Sequence, residues 1–160
     1  MKIIPYDTAD QKIKDQIYKF VMDIKTQDLG WKADAPELLN IEGNYLVNKS
    51  NFWVVVNHNQ LIGTVGLEDM GNRQGYLKRM YLKKEFRGTG LATELLNTML
   101  RYAKQNRFKE IYLATGKGAE RAVEFYKKSG FQKVDSLPSN FIHFDDPYLF
   151  KLELTKQKTS

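Results

Sequence analysis

The stretch Arg87-Gly88-Thr89-Gly90-Leu91-Ala92 constrains this chain more than any other feature, because it joins a strand-like run, Tyr76 to Leu82, to a long amphipathic helix. A helix start leaves its first backbone N–H groups unpaired and carries roughly +0.5 charge from the macrodipole. Glycines there let the backbone approach an anion closely, and Arg87 adds a fixed positive charge, so the segment reads as a pyrophosphate cradle. A tight strand-to-helix turn without a ligand is the competing reading of the same residues. Two other phosphate loops are excluded. The segment has no Gly-Lys-Ser/Thr ending, so it lacks the lysine and hydroxyl that hold terminal phosphates and magnesium in a Walker-type loop. The dinucleotide fingerprint needs a third glycine close to the first strand and an acidic residue about 20 positions later. Here Gly88 and Gly90 stand without that glycine, in mid-chain.

Around the cradle the apolar pattern alternates between strand and helix periods. Lys2 to Pro5 is an edge-strand candidate, and Asp7 or Thr8 would cap a helix carrying Ile13, Ile17, Phe20, Val21 and Ile24 on one stripe. From Gln27 to Ser50 the pattern weakens around Gly30, Pro36 and Gly43, which predicts a loop with one short helical piece at Pro36-Glu37-Leu38-Leu39. Phe52 to Asn57 and Gln60 to Glu68 read as a hairpin about His58-Asn59, and Asp69 to Gln74 turns into a further strand, Gly75 to Leu82. Leu91, Leu95, Leu96, Met99, Leu100 and Ala103 recur at spacings of three and four, giving a helix with one apolar face. Glu110 to Thr115 has a buried-strand pattern, followed by a helix from Ala119 to Ser129 that Gly130 would terminate. That order implies a parallel crossover. Phe131 to Asp135 and Tyr148 to Leu154 would form a closing antiparallel pair, joined by Ser136 to Pro147. The sum is an α/β fold: a mixed sheet of six or seven strands with helices on both faces.

At 160 residues, one domain spanning 1–160 is expected, burying about 70% of the surface its unfolded chain exposes. The absence of cysteine excludes disulfides, thiolate zinc sites and a cysteine nucleophile, and fits a reducing compartment such as the cytoplasm. No metal is expected. No run approaches the ~20 apolar residues of a membrane span, and the N-terminus lacks a continuous apolar stretch, so a soluble protein without a membrane partner is expected. A net charge of +6 raises the option of a nucleic-acid-binding protein. The basic residues are scattered, however, and Lys83-Lys84, Lys127-Lys128 and Lys156-Gln157-Lys158 read as solvated surface, so no nucleic-acid partner is expected. Both a monomer and a homodimer are compatible with the sequence.

The segment Leu77 to Phe131 resembles the core of the Gcn5-related N-acetyltransferase (GNAT) superfamily, whose cofactor loop is written Q/R-x-x-G-x-G/A; Arg87, Gly90 and Ala92 match every fixed position. Leu77-Lys78-Arg79-Met80-Tyr81-Leu82 is similar to the family's central strand, and Ala122-Val123-Glu124-Phe125-Tyr126-Lys127-Lys128-Ser129-Gly130-Phe131 to its A-x-x-x-Y-x-x-x-G-F signature. One departure is visible: Gly118-Ala119-Glu120-Arg121 stands where many members carry an asparagine. The resemblance implies a GNAT-like acyl-CoA N-acyltransferase fold with acetyl-CoA as co-substrate and a cofactor core at about 76–131. It also implies that the strand before the loop and the strand ending at Thr115 splay into a V-shaped cleft for the pantetheine arm. By the same resemblance, peptide groups of Met80, Tyr81 and Leu82 pair with the pantetheine amides, with Thr115 on the facing strand. Arg87, Gly88, Thr89, Gly90, Leu91, Ala92 and Thr93 hold the pyrophosphate, and Tyr126 presents its phenol to the sulfur.

The implied chemistry is acetyl transfer to a primary amine of a small molecule or peptide. A lysine-like amine has an ordinary pKa of about 10.4, so it must lose a proton before attack. Correct placement of two reactants can supply about 7 to 11 kcal/mol of the barrier. Without a cysteine, and without a serine–histidine pair at a nucleophile elbow, direct attack in a ternary complex is favoured over an acyl-enzyme. Tyr126 suits proton donation to the departing thiolate; its alternative role is packing the helix on the sheet. Glu68 closes a strand that runs toward the cleft and is the candidate general base, against the alternatives of a solvated carboxylate or a water chain ending on a backbone carbonyl. His58 and His143 read as incidental. Acceptor recognition falls to loops at about 28–50, 69–74 and 136–147, where Phe141, Phe144, Asp145 and Asp146 suit an ammonium group. A non-catalytic acyl-CoA-binding regulatory module is the alternative function.

Overall fold

A computed structural model describes residues 1–32, 34–143 and 146–154. Of the residues singled out above, Phe144, Asp145 and the Lys156-Gln157-Lys158 cluster lie outside the described residues. The strands are β1 (Lys2–Pro5), β2 (Asn51–Asn57), β3 (Gln60–Asp69), β4 (Gln74–Leu82), β5 (Glu110–Thr115), β6 (Gln132–Lys133) and β7 (Tyr148–Glu153). They form one mixed sheet in the order β1-β2-β3-β4-β5-β7-β6, in which β4 and β5 are parallel and the other neighbours antiparallel. The β2–β3 hairpin turns on His58 and Asn59, both left-handed with φ of 50° and 62°, the geometry that matches the twist of the flanking strands.

Side chains alternate across β2, so Phe52 and Val54 join one apolar cluster while Trp53 and Val55 join another. The first cluster is covered by α1 (Gln11–Lys14), α2 (Ile17–Asp23) and α3 (Ile41–Tyr45), the second by α4 (Leu91–Gln105) and α5 (Glu120–Lys128). The expected single first helix is broken in two and ends in a π turn, Ile24–Asp28, where Leu29 N reaches back to Ile24 O at 3.2 Å. Asp10, not Asp7 or Thr8, stands at its N-cap position, without a capping bond from its side chain; the Thr8 hydroxyl instead donates to Pro5 O. Ile13, Ile17, Val21 and Ile24 are nevertheless buried, and Phe20 partly so. The short α3 was not anticipated; Asn40 Oδ1 caps it by accepting from Gly43 N at 3.1 Å. β6 is shorter than the Phe131–Asp135 expectation. Gly130, at φ +97°, ends α5 as expected.

Two irregularities of β4 shape the centre of the sheet. First, β4 and β5 pair only at Gln74–Glu110, Gly75–Ile111 and Tyr76–Tyr112, and beyond that point they part into a wedge. Second, the β3–β4 register passes from Thr64–Tyr81 to Gly66–Lys78, which leaves Arg79 and Met80 opposite Val65 alone. This is a β-bulge with Arg79 left-handed at φ +54°, and such a bulge bends its strand and re-aims the residues that follow.

Candidate active site

The mouth of the wedge is built by the loop that follows β4. Gly88 and Gly90 adopt φ of +76° and +87°, a region that disfavours any side chain, and this sharp path starts α4 directly after the loop. The first helical bond runs from Glu94 N to Gly90 O at 3.2 Å. Among the described residues, the N–H groups of Gly88 through Thr93 donate to no protein acceptor. Thr89 directs its hydroxyl to Phe86 O at 2.6 Å, closing the turn. Arg87 donates through Nε to Leu82 O at 3.0 Å and through Nη2 to Asp28 at 2.8 Å. A row of unpaired donors at the start of a fifteen-residue helix, with a guanidinium beside it, favours an anion.

Inside the wedge, Met80 in the bulge and Tyr81 and Leu82 after it lie on β4, and Thr115 ends β5 on the other wall. Tyr126 comes from α5 and is only 6% exposed, with its ring against Phe125, Phe131 and Phe150. Among the described residues nothing hydrogen-bonds its hydroxyl. Burial, and secondarily the nearby Tyr81, push the phenol well above the ordinary tyrosine value, so it keeps its proton.

The α1–α3 face of the same strands carries a largely buried polar cluster. Arg79 donates twice to Glu37, at 2.8 and 2.9 Å, and Tyr45 donates its hydroxyl to the same carboxylate at 3.0 Å. Burial alone would raise the Glu37 carboxyl, but the bonded Arg79, with Lys78 and Tyr45, holds it below the ordinary carboxylate value. The buried Thr64 hydroxyl donates to Arg79 O at 2.7 Å. Glu68 lies at the closed base of the wedge, opposite Tyr76, with Lys78 Nζ at 3.2 Å. That ammonium also stands 5.9 and 5.7 Å from the Tyr45 and Tyr76 ring centres. Burial first, then Asp146 and Glu68, push the Tyr76 phenol up to about 12. Phe141 packs against Tyr76 and Tyr112, which brings Phe141 and the neighbouring Leu137 to this face.

The structure places Met80, Tyr81, Leu82 and the 87–93 loop beyond the point where β4 parts from β5, Thr115 at the end of β5 and Glu68 at the base, while Tyr126 is buried in the α4–α5 cluster and Tyr81 packs against the α1–α3 cluster. Asp69 instead closes a turn, accepting from Lys49 N and Gly71 N, and His58 sits in the β2–β3 turn. Sequence reasoning put Asp28, Trp31 and Glu37 in a loop expected to recognise the acceptor and Arg79 in the central strand, but gave none of them an individual role. Their contacts join residues 59, 86 and 42 positions apart, and no local pattern encodes such pairings.

The chain matches the model of the acetyltransferase (GNAT) family over residues 15–131. It is 33% identical over 104 residues to N-acetyltransferase 8 of Rattus norvegicus, a match covering 61% of this chain and 47% of that protein. The chain therefore spans about half the length of the curated relatives it matches, 47% and 46% in two cases. Among solved structures it is similar to an acetyltransferase of the GNAT family from Staphylococcus aureus Mu50, with TM-score 0.88, 30% identity, and coverage of 96% and 99% of the two chains. A GNAT family acetyltransferase from Elizabethkingia anophelis with acetyl-CoA bound shares the fold at TM-score 0.67 and 21% identity, covering 96% and 97%.

Proposed function

The chain belongs to the acetyltransferase (GNAT) family, and from that premise we propose that it transfers an acetyl group from acetyl-CoA to a primary amine by direct attack in a ternary complex. One observation carries the reading: β4 and β5 part after Tyr76 and Tyr112, and N–H groups without a partner among the described residues stand at the open end. A diphosphate suits those donors, and an extended arm with two amides suits strand edges that have lost their neighbour. In this reading residues 1–160 act as one N-acetyltransferase domain, with its core at 76–131 and a cytoplasmic setting that the cysteine-free composition accommodates.

The residues divide the work by position. Gly88 to Thr93 and Arg87 hold the diphosphate, while Met80, Tyr81 and Leu82 on one wall and Thr115 on the other guide the arm. The amine nitrogen bonds to the acyl carbon as the carbon–sulfur bond breaks. Tyr126, kept protonated by burial, gives its proton to the leaving sulfur and regains one, through solvent, from the attacking nitrogen as it becomes the amide. Glu68, at the base of the wedge, takes the proton of the acceptor ammonium, and the tyrosine and carboxylate groups around Lys78 suit an amine-bearing acceptor. The test is CoA release from acetyl-CoA across a panel of small and peptide amines. Turnover with at least one amine is the expected result; CoA binding without turnover on any of them would point to a non-catalytic acyl-CoA-binding module instead.

Among the described residues no helix is long and apolar enough to cross a membrane.

A further inference from the structure

The segment that leaves the π turn crosses the mouth of the wedge and is fastened to both walls. On the β4 side, Asp28 accepts from Arg87 Nη2 at 2.8 Å, while Arg87 Nε holds Leu82 O at 3.0 Å. On the β5 side, Trp31 Nε1 donates to Lys117 O at 2.7 Å, and the indole lies so close to Gly116 that a Cβ there would meet it at 3.2 Å. Leu29 O approaches the Cβ position of Gly118 at 3.5 Å. The exit of the segment is itself fixed, since Trp31 N donates to Lys25 O at 2.7 Å.

We propose that Asp28 and Trp31 are positioning residues: the two anchors of a strap that holds the walls of the wedge at a fixed separation and encloses the pantetheine arm beneath it. The backbone between the anchors is turned rather than extended, with Leu29 in the right-handed helical region, Gly30 left-handed at φ +67° and Trp31 N on Lys25 O, so the reach to the two walls comes from the Asp28, Arg87 and Trp31 side chains. Asp28 acts through Arg87. With Nε on Leu82 O and one Nη2 hydrogen on Asp28, the guanidinium is held in place and its other donors carry no protein partner among the described residues. Trp31 acts through the Lys117 carbonyl and the Gly116 backbone.

This inference rests on the acetyl-CoA reading, so its test separates the two. Calorimetry is run with CoA and with adenosine 3′,5′-bisphosphate, which lacks the pantetheine arm, on the wild-type chain, Trp31→Ala and Trp31→Phe. Trp31→Ala is expected to weaken CoA about tenfold while leaving the bisphosphate within about twofold, and Trp31→Phe, which keeps a ring on Gly116, to recover part of the loss. In turnover, the KM for acetyl-CoA is expected to rise about tenfold at nearly constant kcat, the mark of uniform binding. Equal weakening of both ligands, or of neither, would overturn the strap and leave acetyl transfer standing. A wild-type chain that fails to bind CoA at all would overturn both.

Discussion

Arg79 Nε and Nη2 lie 2.8 and 2.9 Å from the two carboxylate oxygens of Glu37, so a left-handed residue in a central strand is held by a side chain 42 positions earlier. A non-glycine residue in that conformation costs on the order of 1–3 kcal/mol and persists only where its surroundings over-determine it. Here three contacts do so: the bidentate pair, the Thr64 hydroxyl on the Arg79 carbonyl, and the Tyr45 hydroxyl on Glu37. The bulge sets the direction of the residues that follow it, so Glu37, in the segment before α3, governs the wall of the wedge.

Glu37→Ala should therefore be severe. Both side chains of the pair are 18% exposed, and removing one leaves a guanidinium in the interior without its carboxylate. The expected loss is about 3 kcal/mol, the lower end for a broken buried pair. In a chain of this size that lowers the melting midpoint by about 6 to 12 °C, measurable by scanning calorimetry. A midpoint unchanged from wild type would refute the tether.

The same pair fixes the sign of an acid response. The folded-state pKa of Glu37 is depressed, so the stabilisation is present above its unfolded value, about 4.3, and is lost as pH falls through the lower native value. Wild-type stability should fall more steeply below about pH 4 than that of Glu37→Gln. Parallel midpoint curves for the two proteins from pH 6 downward would show that the charge contributes nothing.

Sequence patterning exposes the parts of this fold that depend on neighbours in the chain. His58-Asn59 is legible because two residues that tolerate left-handed backbone sit between alternating strands, and α4 because Leu91, Leu95, Leu96, Met99 and Ala103 form one face. The sharp turn into α4 is legible because Gly88 and Gly90 stand at positive φ. Features set by distant partners are not. The bulge puts an arginine where local preference argues against it, and only Glu37, far off in sequence, makes that stable. The first helical region shows an unbroken apolar stripe, yet it passes into a π turn where Thr26 bonds back to Met22 O and the Lys25 side chain is buried. Lysine in a periodic stripe reads as surface, so that break has no signature.

Tyr126→Phe removes one hydroxyl from a ring whose packing against Phe131 and Phe150 remains. The expected result is a fall in kcat of about 10²-fold, with CoA affinity within about twofold of wild type. Unaltered turnover would remove the acid role and leave the ring as packing. Because the phenol is raised, it stays protonated through the neutral range, so no alkaline limb below about pH 10 should disappear in the variant.

Glu68→Gln keeps the shape of the side chain facing Lys78 but cannot accept a proton. A loss of about 10²-fold in kcat/KM near pH 7 is expected, shrinking at higher pH as the free amine becomes populated in solution. A variant as active as wild type at neutral pH would assign proton removal elsewhere.

The cradle is probed by Gly90→Asp, which places a carboxylate among the unpaired N–H groups, and by Arg87→Ala. Each should weaken CoA by about tenfold or more in calorimetry, because one adds a like charge, and a strained left-handed residue, beside the diphosphate and the other removes the guanidinium. Retention of wild-type affinity by both would reject this loop as the diphosphate site.

The most direct measurement is a crystal structure of the chain with acetyl-CoA. Diphosphate oxygens are expected about 3 Å from the backbone nitrogens of Gly88 to Thr93, with the arm lying between β4 and β5 beneath Trp31. A diphosphate bound elsewhere, or β4 and β5 paired beyond Tyr76 and Tyr112 with no arm between them, would contradict the assignment.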